Sequence, residues 1–66
     1  MWSELKYCRE GDIIRAYFLG DRDPENHGCW HKIYTLQSLG GGKYYAAIEG
    51  WRGAELDGST EVYKLD

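Results

Sequence analysis

The sequence has a single proline, Pro24, and no stretch of about 18 apolar residues of the kind that crosses a membrane. It also lacks a basic run. Eight Lys and Arg stand against eleven Asp and Glu, a net charge of -3. That balance favours solubility and works against non-specific attraction to nucleic acid or to an anionic membrane. The charge is too modest and too interspersed to mark a DNA mimic. Its longest acidic stretch, Asp21 to Glu25, is interrupted by Arg22. The opening Met1-Trp2-Ser3-Glu4-Leu5-Lys6 has neither the basic flank nor the apolar run of a signal peptide, so a cytoplasmic location is expected. Cysteine is scarce as well, and Cys8 and Cys29 are too few for a disulfide framework. A bridge between them would close a loop worth roughly 3 kcal/mol on the chain-entropy account. A reducing cytosol instead favours two free, largely buried thiols.

What the chain has in abundance is aromatic side chains and glycine. Ten of its 66 residues are aromatic (Trp2, Tyr7, Tyr17, Phe18, Trp30, Tyr34, Tyr44, Tyr45, Trp51, Tyr63) and nine are glycine. Aromatic residues favour strands and bury large areas, and glycine supplies the backbone angles of tight turns. The whole chain, 1–66, is therefore expected to be one small all-β domain. Folding at this size buries only about 60% of the unfolded surface. Some aromatic surface is left to face a partner, and a pocket that encloses a cofactor would compete with the core for side chains.

Turn signals divide the chain. Residues 2–9 read as a helical turn or an irregular lead-in. Glu10-Gly11-Asp12 turns into a strand near 12–19, with Ile14, Ala16 and Phe18 on the core face and Ile13, Arg15 and Tyr17 on the other. Residues 20–28 are polar and aperiodic, a loop long enough to be functional. Strands follow near 29–38 and 43–50, separated by Gly40-Gly41-Gly42, with Tyr44, Ala46 and Ile48 inward. The second strand has apolar residues in both alternating sets, which leaves its facing ambiguous. A short strand near Trp51 to Leu56 and a last one near 60–65 complete five.

Five short strands, a long first loop and tight later turns resemble the layout of a small SH3-like barrel, and the phrase Glu10-Gly11-Asp12-Ile13-Ile14-Arg15-Ala16 looks like the opening strand of many such barrels. An OB-like barrel and an α+β sheet with one short N-terminal helix are the alternatives.

Several clusters invite a chemical reading. His27, Cys29 and His31, with Cys8 distant, offer zinc-type ligands, but each is one residue from the next. Alternate strand residues lie roughly 6.7 Å apart, awkward for three ligands on one ion, so no metal is expected. Cys29 with His31 as a nucleophile and base lacks a third orienting group. The run from Asp21 to Asn26 fails the calcium-loop pattern, having Asn26 where glycine belongs and Lys32 where glutamate belongs. Gly40-Gly41-Gly42-Lys43 is followed by Tyr44 and a strand rather than by Ser or Thr and a helix, so it is not a P-loop. No cofactor and no catalytic residue is expected.

Gly50-Trp51-Arg52-Gly53 is the segment singled out for contact, because Trp and Arg are enriched at interaction hot spots and the flanking glycines free the backbone to project them. The expected partner-binding residues are Trp51 and Arg52, with Trp30 and Tyr45 as neighbours, and Asp21 and Asp23 supplying charge complementarity from the long loop. On this reading Trp51→Ala weakens binding by at least ~2 kcal/mol while hardly changing Tm. The expected function is a non-enzymatic, acidic binding module for a protein partner, of the class common among phage-encoded inhibitors of host machinery. A homodimer burying the same face is compatible with this. The rivals are a barrel that stacks single-stranded nucleic acid on Tyr17, Trp30, Tyr45 and Trp51, and a homo-oligomer sequestering a small molecule between protomers.

Overall fold

The structure, a computed structural model, describes all of residues 1–66. Six strands form one antiparallel sheet: β1 (Trp2–Glu4), β2 (Ile13–Arg15), β3 (His31–Gly40), β4 (Lys43–Ile48), β5 (Trp51–Asp57) and β6 (Glu61–Lys64). Their spatial order is β1-β6-β2-β3-β4-β5. Because β1 and β5 do not pair, the sheet is curved around its core but not closed. Two short 3-10 turns, Leu5–Tyr7 and Tyr17–Leu19, interrupt the strands.

Leu5, Cys8, Ile14, Ala16, Ile33, Ala46, Ile48 and Val62 make the core, with Phe18, Leu19, Leu36, Tyr44, Trp51 and Leu56 packed against it. β3 unites the two halves of the sheet. Its first residues, His31 and Lys32, pair with β2, and from Ile33 onward it pairs with β4. At the changeover the Ile33 N–H donates to the Asp12 carbonyl (2.9 Å) and its own carbonyl accepts the Gly11 N–H (2.8 Å).

The ambiguous facing of β3 has a physical cause. Ile33 pairs with Ile48 and Thr35 with Ala47, so Tyr34 is an extra residue extruded in a β-bulge and exposed. The bulge flips the phase of the alternation, and both Ile33 and Leu36 point inward although three positions apart. A second bulge acts alike in β5, where Arg52 and Gly53 together span the step that Ala47 spans in β4. Trp51 and Ala54 therefore both face inward.

Two expectations need correction. The first strand does not run to residue 19 but stops at Arg15, because the Ala16 N–H is taken by the Asp21 carboxylate (3.0 Å) rather than by a neighbouring strand. The chain then winds through a 3-10 turn that ends at Gly20, whose φ of +96° is a left-handed conformation suited to glycine. Phe18 is accordingly half-buried in the middle of this turn rather than on a strand. The lead-in is also more than a lead-in. Trp2–Glu4 pairs with β6, making a sixth strand, and Leu5 is fully buried, its N–H bonded to the Thr60 carbonyl (2.9 Å).

Residues 1–7 thus belong to the folding unit. Leu5→Ala is expected to cost about 2–5 kcal/mol, the usual range for a fully buried leucine. Urea unfolding followed by tryptophan fluorescence measures it, and a loss below 1 kcal/mol would mean that β1 and its turn pack only loosely on the rest.

Candidate partner-binding surface

Alternation sends every second residue of β1, β6 and β2 to the face of the sheet turned away from the core. On that face Trp2 lies directly opposite Tyr63, and Tyr63 opposite Arg15. Sequence distance is irrelevant to the outcome, since residues 2, 15 and 63 become neighbours across three adjacent strands. The Trp2 and Tyr63 rings meet edge to face at 5.3 Å. Tyr17, just beyond β2, stacks on Trp2 at 5.9 Å, and Trp30, just before β3, stacks on Tyr63 at 6.3 Å. The four rings make one continuous aromatic platform, with Tyr17 more than half exposed and Trp2 partly so.

The long loop is fastened to this platform. The Arg15 guanidinium lies 3.9 Å from the centre of the Trp30 ring and donates to the Pro24 carbonyl (3.1 Å). Its Nε is buried without a hydrogen-bond partner, and the ring face is the group that receives its charge. The Trp2 indole donates to the Glu25 carboxylate (3.0 Å), and Pro24 is buried beneath. A groove of about 490 Å³ runs alongside, lined by Arg15, Glu25, Trp30, Tyr63, Lys64 and both chain ends.

The residues singled out from the sequence are distributed over both faces. Trp30 belongs to the platform. Trp51 points to the inner side, edge-on to Phe18 at 5.0 Å, where it packs against the core. Arg52 is exposed in the β5 bulge, and Tyr45 lies on the outer side of β4, opposite Glu55 and with its hydroxyl over Gly53. Trp51 and Tyr45 therefore sit on opposite faces, and the ring that stacks on Trp30 is Tyr63 rather than either of them. Asp21 and Asp23 shape the loop. Asp21 accepts the Ala16 N–H and faces the His31 Nε2 at 3.7 Å, while Asp23 accepts from the Asn26 and His27 backbone N–H groups (3.1 and 2.8 Å). The sequence reading missed Trp2 and Tyr63 as site residues. It had Trp30 as a contact residue and Arg15 and Tyr17 on the outward face of their strand, which accounts for two of the four rings.

The remaining chemical clusters resolve into structural roles. His31 is held by its Nδ1, 3.0 Å from the Glu49 carbonyl oxygen, and no three His, Cys, Asp or Glu side chains converge on a point that would hold a metal ion. Gly40, Gly41 and Gly42 all adopt positive φ and form the turn between β3 and β4. Cys8 and Cys29 are free, and only Cys8 is buried, so the expectation of two buried thiols is corrected for Cys29. Burial pushes the Cys8 thiol above its ordinary value, with the Lys64 ammonium opposing. No helix is long and apolar enough to cross a membrane. Compared with protein-family models, with curated proteins and with solved structures, the chain matches none.

Two outcomes follow. Removing the Asp21 carboxylate with Asp21→Ala strands the Ala16 N–H and is expected to cost about 1–3 kcal/mol, the penalty of a buried unsatisfied donor. Unchanged urea stability would show the loop to be held by Arg15 and Trp2 alone. A thiol reagent at neutral pH is expected to label Cys29 quickly and Cys8 only at the rate of unfolding, as read by peptide mass spectrometry. Because the folded Cys8 value is raised, its contribution to stability is complete at neutral pH and is lost as the pH climbs through the alkaline range above the ordinary thiol value.

Proposed function

We propose that this protein is a non-enzymatic binding module that contacts a protein partner through the aromatic platform on the outer face of β1, β6 and β2. The observation that carries the reading is the platform itself: Trp2, Tyr17, Tyr63 and Trp30 joined ring to ring, with Trp2 39% and Tyr17 56% exposed. Aromatic rings that lock one another need little ordering on binding and so retain more of their contact energy. In layout we read the five strands β2–β6, with a long first loop between β2 and β3 and tight later turns, as an opened SH3-like barrel with β1 as an added edge strand. An inhibitor of cellular machinery is one use of such a module.

Charge distribution favours protein over nucleic acid. Most cations beside the platform are already engaged: Lys6 with Glu4 at 3.3 Å, the N-terminal ammonium with Asp66 at 3.5 Å, and Arg15 with Pro24 and Trp30. Stacked bases would bring phosphates toward Glu25, Glu61 and Asp66, and the one unpaired lysine on that face is Lys32, opposite Ile13.

The test compares the wild-type chain with Trp2→Ala, Trp30→Ala and Arg52→Ala variants in pull-downs from the source cell, followed by calorimetry on the captured protein. Trp2→Ala and Trp30→Ala are each expected to weaken binding by about 2 kcal/mol or more, and Arg52→Ala by less than 1. Trp51→Ala is expected to lower Tm instead, through its packing on Phe18. Loss of binding with Arg52→Ala alone would move the contact to β5. Tight capture of single-stranded oligonucleotide that weakens steeply with salt would replace the protein partner with nucleic acid.

A further inference from the structure

The antiparallel register that sets Trp2 opposite Tyr63 sets Glu4 directly opposite Glu61, on the same outer face and one strand repeat away. Like charges in directly opposed positions destabilise a sheet, so this pair leaves an electrostatic demand in the fold. The two carboxylates line a cavity of about 350 Å³ whose remaining walls are Trp2, Ser3 and Tyr7. The pocket is met from one side by the chain's own Lys6. Its ammonium lies 3.3 Å from Glu4 and 5.3 Å from the centre of the Tyr7 ring. Glu4 holds the Lys6 ammonium above its ordinary value, in part with help from Tyr7. Glu61 has neither an ion pair nor a hydrogen bond from its side chain. Two carboxylates and two aromatic rings, with an ammonium already settled against one of each, have the chemistry that receives a basic side chain.

We infer that the outer face of β1 and β6 docks an extended segment of the partner protein carrying an apolar side chain and, two residues further on, a lysine or arginine. The spacing comes from the surface itself. Trp2–Tyr63 and Glu4–Glu61 are consecutive same-face rows, about 6.7 Å apart along the strands, and an extended peptide repeats its own side chains at the same interval. The apolar residue lies on the Trp2 and Tyr63 rings, and the basic head enters between Glu4 and Glu61 with its stem along Tyr7. Exposed Glu25 and Asp66 near the platform add negative potential and repel acidic competitors. This specificity rests on the platform being the contact face, and it adds which sequences the platform selects.

The probe is an acetylated and amidated pentapeptide, Gly-Leu-Ser-Arg-Gly, titrated into isotope-labelled protein and followed by backbone and indole amide NMR shifts. Saturable shifts are expected at the Trp2 indole, Glu4, Tyr7 and Glu61. Glu61→Gln, an exposed and conservative change, is expected to weaken the peptide at least about threefold with the folded spectrum intact. Replacing the arginine by norleucine, or placing leucine and arginine next to each other so that they point to opposite sides, is expected to abolish the shifts. The inference is overturned if the norleucine or adjacent-residue peptide binds equally well, if Glu61→Gln has no effect, if the shifts fall elsewhere, if there are none, or if an oligonucleotide moves the same resonances. Failure here with partner binding still lost in Trp2→Ala removes the basic-segment rule and leaves the platform standing. Partner binding that survives Trp2→Ala and Trp30→Ala removes the platform itself, whatever the peptide does.

Discussion

Two small half-sheets share one core only because β3 belongs to both. Ile33 is the hinge of that arrangement: fully buried, paired with Ile48 on one side and hydrogen-bonded to Gly11 and Asp12 on the other. Its carbonyl and N–H commit the turn before β2 to the start of the β3–β4 hairpin, so these two hydrogen bonds form only when both halves are in place. A three-stranded unit of this size has too little apolar surface to stand alone. The bulge at Tyr34 immediately after the hinge lets the sheet bend there, and bending is what brings Leu36, Tyr44 and Trp51 over the same interior as Ile14 and Val62.

With the core confined to eight buried residues, most aromatic area has to be stabilised by other means. The outer face accomplishes this by letting the rings bury one another. Trp2 is covered partly by Tyr17 and Tyr63, Tyr63 by Trp2 and Trp30, and Trp30 by Arg15. The same contacts hold the eleven-residue passage between the 3-10 turn and β3, which has no ladder of its own and depends on Asp21, Arg15 and Trp2 for anchorage. Structure and recognition therefore draw on one set of side chains, and a substitution in the platform acts on both the loop and the partner.

How much of this was legible in the sequence follows from the range of the interactions. The all-β class, the turns at glycines and the inward set Ile14, Ala46 and Ile48 are local patterns of period two, and composition with alternation recovers them. The bulges at Tyr34 and at Arg52–Gly53 break that period, which is why both alternating sets of β3 looked apolar and why Trp51, read as projecting outward between flexible glycines, turns inward onto Phe18. β1 escaped notice because three residues carry almost no periodic signal, and its strand character comes from β6 at the far end of the chain. The platform was half visible, as Tyr17 on the outward face with Arg15 and as Trp30 among the contact residues. Trp2 and Tyr63 could be joined to it only by a strand order that no local pattern encodes.

Charge placement explains how a domain with a net charge of -3 presents distinct surfaces. Lys43 bridges to Asp57 across the β4–β5 edge, Lys64 to Asp12 under β2, and Lys6 to Glu4 beside β1. Exposed pairs of this kind contribute little to stability, on the order of 0–1 kcal/mol each. Their consequence is electrostatic: these three lysines are each spent on a particular carboxylate, Lys32 stays exposed without an ion pair, and the acids without a cationic partner set the field beside the platform. Glu25 and Glu61 are such acids on the outer side of the sheet, next to rings whose faces are themselves electron-rich. Ring faces and carboxylates attract the same kind of group, so the aromatic and acidic parts of this surface select jointly for cations. The opposite side, where Phe18 and Trp51 close over the core, has no comparable pairing of rings with unpartnered acids.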